Sequence, residues 1–224
     1  MNSTSDDPWS LPGARAAAEE LARVGRALGE EGLTWGTSGN LSLRLDDEWM
    51  VASATGTWVR RLVPDDFVPV RLADGSHLGP RKPTKEVPMH AAIYQRQPDA
   101  RCILHGSPPY ATWLACTDLE PGFDGLFIET MHYLPRVAMA PYAHPGTPEL
   151  GAHIGRAAEE AKAILMRNHG AIVWHGTADE ALMTFLSLEF AARVLHQACA
   201  AGRPLQPLPP SLADEFRQRR VYRK

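Results

Sequence analysis

The chain switches between two hydrophobic periods at short intervals, and no break is long enough to divide it. Residues 41–45 alternate apolar and polar with a period of two, as a half-buried strand does. Residues 49–53 supply a hairpin partner and 67–72 a third strand. The helical period governs residues 12–31, where Ala17, Leu21, Val24 and Leu28 are spaced by four, three and four, and Gly32 ends the run. The same reading predicts a helix over 86–97, a short apolar strand at 102–104 and a short helix over 109–116. Residues 126–141 read as mixed strand and loop, followed by a helix over 148–161. Two strands, 163–166 and 171–174, then flank the turn Arg167-Asn168-His169-Gly170. A long last helix over 178–201 carries Leu182, Phe185, Leu186, Phe190 and Val194 on its apolar face, and Pro204 to Pro210 breaks it. Short strands interleaved with helices, without an internal repeat, predict one α/β domain over 13–203. Residues 1–12 are expected to be a tail, and 204–224, with their basic end, an arm.

Composition narrows the partners. The chain has 224 residues, enough for one core to bury most of it. Lys plus Arg total 23 against 26 Asp plus Glu, a net charge of -3, so no nucleic-acid partner is expected. Apolar runs fall far short of the ~20 residues of a membrane span, and the acidic, polar N-terminus does not read as a signal peptide. Cys102, Cys116 and Cys199 form no CxxC pair and are too few for a disulfide framework. A cytoplasmic protein is the expectation.

Three groups of residues could carry chemistry. His105 and His169 fall at strand ends, where side chains can converge on a metal ion, although loop histidines also satisfy carbonyls there. Glu86 opens the helix before His105. That is an ordinary capping position, and also a place for a general base. Thr37, Ser38, Gly39 and Asn40, with Thr55, Gly56 and Thr57, make two turns rich in hydroxyls and free amides that suit a phosphate. Thr84 and Lys85 add anion-friendly groups at a helix start. His90, four residues after Glu86, shares its helix face and is either a packing residue or a support for the site.

Taken in order, these segments resemble the class II aldolase/adducin family. The strings are Gly36-Thr37-Ser38-Gly39-Asn40-Leu41-Ser42, Thr55-Gly56, Lys82-Pro83-Thr84-Lys85-Glu86, Leu104-His105-Gly106-Ser107, Pro141-Tyr142-Ala143-His144-Pro145-Gly146-Thr147 and Asn168-His169-Gly170. The resemblance covers about residues 14 to 200. It implies a three-layer α/β/α sandwich around a mainly antiparallel sheet, and a homotetramer with active sites between subunits. It also implies a divalent metal, zinc first and manganese or iron as alternatives. Carried over residue by residue, it makes His105 and His169 metal ligands and Glu86 the catalytic acid/base. Thr37, Asn40, Thr55, Gly56, Thr84 and Lys85 become the phosphate turns.

One position departs from the family pattern. Where a second histidine ligand is expected this chain has Ser107, and a neutral hydroxyl is a poor zinc ligand. His144, in a loop that the family contributes from an adjoining subunit, is the expected substitute, ahead of His132 and Glu129. Tyr110, Tyr133, Tyr142 and Tyr222 are candidates for a second acid. The resemblance implies an aldehyde-lyase that cleaves a small phosphorylated ketose through an enediolate. A decarboxylase or epimerase with the same chemistry and a non-catalytic assembly module are the alternatives.

Overall fold

The computed structural model describes residues 7–219, so Tyr222 lies outside the described residues. Seven strands form one sheet: β1 (Asn40–Arg44), β2 (Trp49–Ser53), β3 (Phe67–Arg71), β4 (Cys102–Gly106), β5 (Val137–Ala140), β6 (Ala163–Met166) and β7 (Gly170–His175). Their spatial order is β3-β2-β1-β4-β7-β6-β5. Every neighbouring pair is antiparallel except β5 and β6. Helices α1 (Ala14–Glu30), α3 (Pro109–Ala115) and α6 (Ala178–Ala200) cover one face, and α2 (Val87–Arg96) and α5 (Pro148–Ala158) the other. Two shorter helices, α4 (Ile128–Tyr133) and α7 (Pro210–Gln218), complete the set. This is the expected three-layer α/β/α sandwich.

The two cores follow from the pleat. On β4, Leu104 points to the α1/α6 side and Ile103 to the α2/α5 side, and on β6 Ala163 and Leu165 oppose Ile164 and Met166 in the same way. Both faces are covered, so β6 is apolar throughout and β4 is apolar up to His105. The α1 stripe is buried as its spacing predicts, with Leu21, Val24 and Leu28 fully buried. Each such side chain contributes roughly 1.5–3 kcal/mol of burial.

Two expectations change. The face that α6 buries is Ala181, Thr184, Phe185, Leu188, Ala191 and Ala192, whereas Phe190 is 54% exposed. Phe185 takes its expected place, Leu188 and alanines fill the rest of the inner stripe, and Leu182 and Leu186 are only partly buried. The arm also contains α7, which Pro209 and Pro210 conceal in the sequence. Proline breaks a helix interior, but at the first helical position it starts one. Arg217 on α7 pairs with Asp124 at 2.8 Å, and Ala213 is fully buried. At the other end Trp9 and Leu11, within the stretch read as a tail, pack against the α1 core. Among the described residues no helix is long and apolar enough to cross a membrane.

Candidate metal and anion site

The site is assembled around β4. This strand extends two residues further than its apolar run, because β1 and β7 pair with it on both sides up to His105 and Gly106. His105 shares a face with Ile103, beneath α2, and sits directly opposite Asn40 of β1. Two glycines make this crowding possible. Gly39 has φ +95°, and a Cβ there would lie 2.5 Å from the His105 carbonyl oxygen. A Cβ on Gly170, φ +154°, would come within 2.4 Å of the Gly106 oxygen, so the turn that carries His169 can close onto β4 only with glycine there.

Glu86 stands at the N-cap of α2, yet its side chain caps nothing. It turns instead toward the histidines. Oε2 accepts a hydrogen bond from Asn40 Nδ2 at 2.7 Å and lies 3.3 Å from His105 Nε2, while Oε1 lies 3.4 Å from His169 Nε2. The two imidazoles meet edge to face, with ring centroids 4.9 Å apart. Burial pushes the Glu86 carboxyl up, but the His105 hydrogen bond, the charges of both histidines and the Asn40 donor outweigh it and hold the group at about 2. His169 is driven the other way, down to about 4, by burial first and then by His105, so it is neutral at pH 7.

The donor set fits a divalent cation. His105 Nδ1 donates to the Ala171 carbonyl at 2.9 Å, which orients the ring so that Nε2 faces the Glu86 carboxylate. Glu86 Oε1 and His169 Nδ1 are buried with no hydrogen-bond partner. One ligand atom from each of Glu86, His105 and His169 lies within 4.8 Å of the others, a spacing suited to one ion.

The structure does not bring His144 to this group. It lies on the exposed loop before α5, where its Nδ1 is 3.1 Å from the Tyr142 hydroxyl. Its neighbour Gly146 packs that loop against the backbone of Lys85 on the same chain. Glu129 and His132 lie on α4, and neither joins the cluster. Ser107 does reach the cavity, with its hydroxyl 2.6 Å from that of Ser38 and 3.4 Å from the His169 carbonyl. Tyr110, Tyr133 and Tyr142 do not line the cavity.

All six residues read as anion-binding line one cavity of about 400 Å³ together with Glu86, His105 and His169. Thr37, Thr55, Gly56 and Lys85 are exposed at it, and among the described residues Lys85 has no carboxylate partner. Thr84 is buried, and its Oγ1 accepts the Glu86 N–H at 3.3 Å. Asn40 differs from the rest, because both ends of its amide are engaged, by Glu86 and by His90. A larger groove of about 660 Å³ runs along the edge strand β5 but contains none of the three clustered residues. Convergent titratable groups, not size, single out the smaller cavity.

Residues 19–196 match the family described as Class II Aldolase and Adducin N-terminal domain. A 3-oxo-tetronate 4-phosphate decarboxylase of Haemophilus influenzae is 35% identical over 162 residues, 70% of this chain and 76% of the relative. A 5-deoxy-D-ribulose 1-phosphate aldolase of Bacillus thuringiensis serovar kurstaki is 31% identical over 193 residues, 83% and 87% of the two chains. The solved structure of an L-fuculose 1-phosphate aldolase superposes with a TM-score of 0.83 at 28% identity, covering 91% of this chain and 95% of the other.

Proposed function

The chain belongs to the class II aldolase and adducin family, and from that premise we propose that it is a metal-dependent lyase cleaving the bond between the carbons α and β to the carbonyl of a small phosphorylated ketose, with release of an aldehyde. One observation carries this reading. Glu86, His105 and His169 converge in a cavity whose remaining lining is hydroxyls, backbone amides and the Lys85 ammonium. That pairs a cation site with an anion site inside a volume fit for a small molecule.

In this reading His105, His169 and Glu86 hold the cation, zinc first and manganese or iron as alternatives, and a neighbouring copy's loop can add His144. Bound there, a divalent ion supplies Lewis acidity toward negative charge that builds up on substrate oxygens. Lys85, with the Thr55-Gly56 turn, Thr37 and Thr84, binds the phosphate and so fixes which carbon faces Glu86. Glu86, ionised at neutral pH, is placed to take the proton of the hydroxyl that becomes the aldehyde and to return it to the carbon left behind. The protein is read as cytoplasmic and homotetrameric, with Tyr142 and His144 exposed where a second copy would meet them.

A second reading is favoured by the relative named as a decarboxylase, in which the group lost from the same carbon is carbon dioxide. Assaying the metal-loaded protein on 5-deoxyribulose 1-phosphate and on 3-oxo-tetronate 4-phosphate separates the two. Aldehyde from the first substrate supports the aldolase, and carbon dioxide from the second supports the decarboxylase. Turnover of neither, nor of related ketose phosphates, would leave the non-catalytic assembly module in place of both.

A further inference from the structure

Behind Glu86, on the side away from the cavity, a line of polar groups runs through an otherwise apolar interior. Asn40 Oδ1 is 2.6 Å from His90 Nε2, His90 Nδ1 is 2.7 Å from Ser42 Oγ, and Ser42 Oγ is 2.9 Å from the Tyr94 hydroxyl. His90 and Ser42 are fully buried, and Asn40 is 6% exposed. Two regular spacings build the line. Glu86, His90 and Tyr94 recur every four residues along one face of α2, and Asn40 and Ser42 are two apart on one face of β1.

The hydrogens in this line can run in one direction only. An ionised carboxylate accepts and never donates, so Asn40 must present Nδ2 to Glu86 and Oδ1 to His90. His90 must then carry its hydrogen on Nε2, which leaves Nδ1 to accept from the Ser42 hydroxyl. From Ser42 to Asn40 every donor points toward Glu86, and at the far end the Tyr94 hydroxyl hydrogen lies between Ser42 Oγ and the Arg101 carbonyl oxygen. Burial keeps His90 neutral, which preserves the single tautomer that the line requires.

We propose that Asn40, His90 and Ser42 form a directional relay that positions the Glu86 carboxylate against His105 and His169, so that Asn40 acts as a positioning residue. A bare glutamate at the end of a helix has three rotatable bonds and an exposed cavity to turn into. A single amide donor at 2.7 Å, itself locked from behind, selects the rotamer that faces the imidazoles. The proposal rests on the metal-site reading above, because a positioned carboxylate matters here as a partner of the two histidines.

The test is competition for Zn²⁺ between the full chain and a chromophoric chelator, with binding of inorganic phosphate measured in parallel and folding followed by thermal melting. Asn40→Ala should weaken Zn²⁺ binding 10- to 100-fold, the range for losing a group that orients a ligand. His90→Phe, which touches neither ligand, should do the same. His90→Gln should restore most of the affinity, since its amide can donate to Asn40 and accept from Ser42. Should His90→Phe fail to fold, Asn40→Ala decides alone. Unchanged Zn²⁺ affinity in Asn40→Ala, whatever its phosphate binding, would overturn the relay, as would unchanged Zn²⁺ affinity in a folded His90→Phe. No Zn²⁺ binding by the parent chain would overturn the metal reading itself, a result distinct from equal binding by parent and variants.

Discussion

Lys85 and Glu86 are adjacent in sequence, yet among the described residues one is exposed with no carboxylate partner and the other is buried among three polar groups. The peptide thus places an exposed cation at the cavity mouth and a constrained carboxylate at its base. Lys85→Ala should raise KM for a phosphorylated substrate about tenfold with kcat little changed, the scale of one lost charged contact (~1.5 kcal/mol). Steady-state kinetics check it, and an unchanged KM removes Lys85 from the site. At this scale the sequence is legible where a motif fixes a residue type, as for His105 and His169, and illegible where side chains choose among neighbours. Glu86 has the sequence of a helix cap, and only the fold reveals that Asn40 and two imidazoles outcompete the backbone for it. Asn40 sits in a motif read as a phosphate turn, but strand pairing sets it opposite His105 and turns its amide inward. His144 fails as a ligand on its own chain for the converse reason, since its loop folds back against Lys85 and leaves the imidazole outside.

Among the elements, the turn into β1 is tightly constrained. Gly39 combines a positive φ with a backbone oxygen where a side chain would begin. Gly39→Ala should therefore cost the backbone penalty, about 1–2 kcal/mol, plus whatever the strands lose by separating, together about 3 kcal/mol or more in urea unfolding. Gly32→Ala is the control, because Gly32 also has positive φ but open space around it, and only the backbone penalty of about 1 kcal/mol applies. Equal losses in the two variants would show that the close approach of β1 to β4 does not depend on Gly39. Element positions are readable because α1 and α2 each bury one continuous face, and the inner strands, covered on both faces, read as short apolar runs. Periodicity misjudged part of α6, where Leu188 and alanines join Phe185 on the inner stripe and Phe190 lies outside. It also missed α7, whose opening prolines look like a stop.

For the whole molecule, the buried histidines couple folding to pH. His90 is lowered to about 3 and His169 to about 4, against an ordinary value of 6.5, so the folded chain refuses protons that the unfolded chain binds. Their contribution to stability is complete above pH 6.5 and is lost as the pH falls toward those values, by up to about 1.4 kcal/mol per pH unit for each group. Metal-free protein should show this slope in urea unfolding between pH 6.5 and 4.5, and His90→Gln should flatten part of it. Equal stability across that window would contradict the burial of neutral imidazoles. The layer order was within reach of the sequence through a family resemblance carried by six short motifs, whereas the long-range contacts that bring Glu86 between two histidines exist only in the folded chain. The account stands on that convergence, and the metal content of the purified protein tests it most directly. Protein prepared with metal present should retain about one divalent ion per chain, and His105→Ala, folded and prepared in the same way, should retain almost none. An empty parent protein, or a His105→Ala variant that keeps its ion, would contradict it.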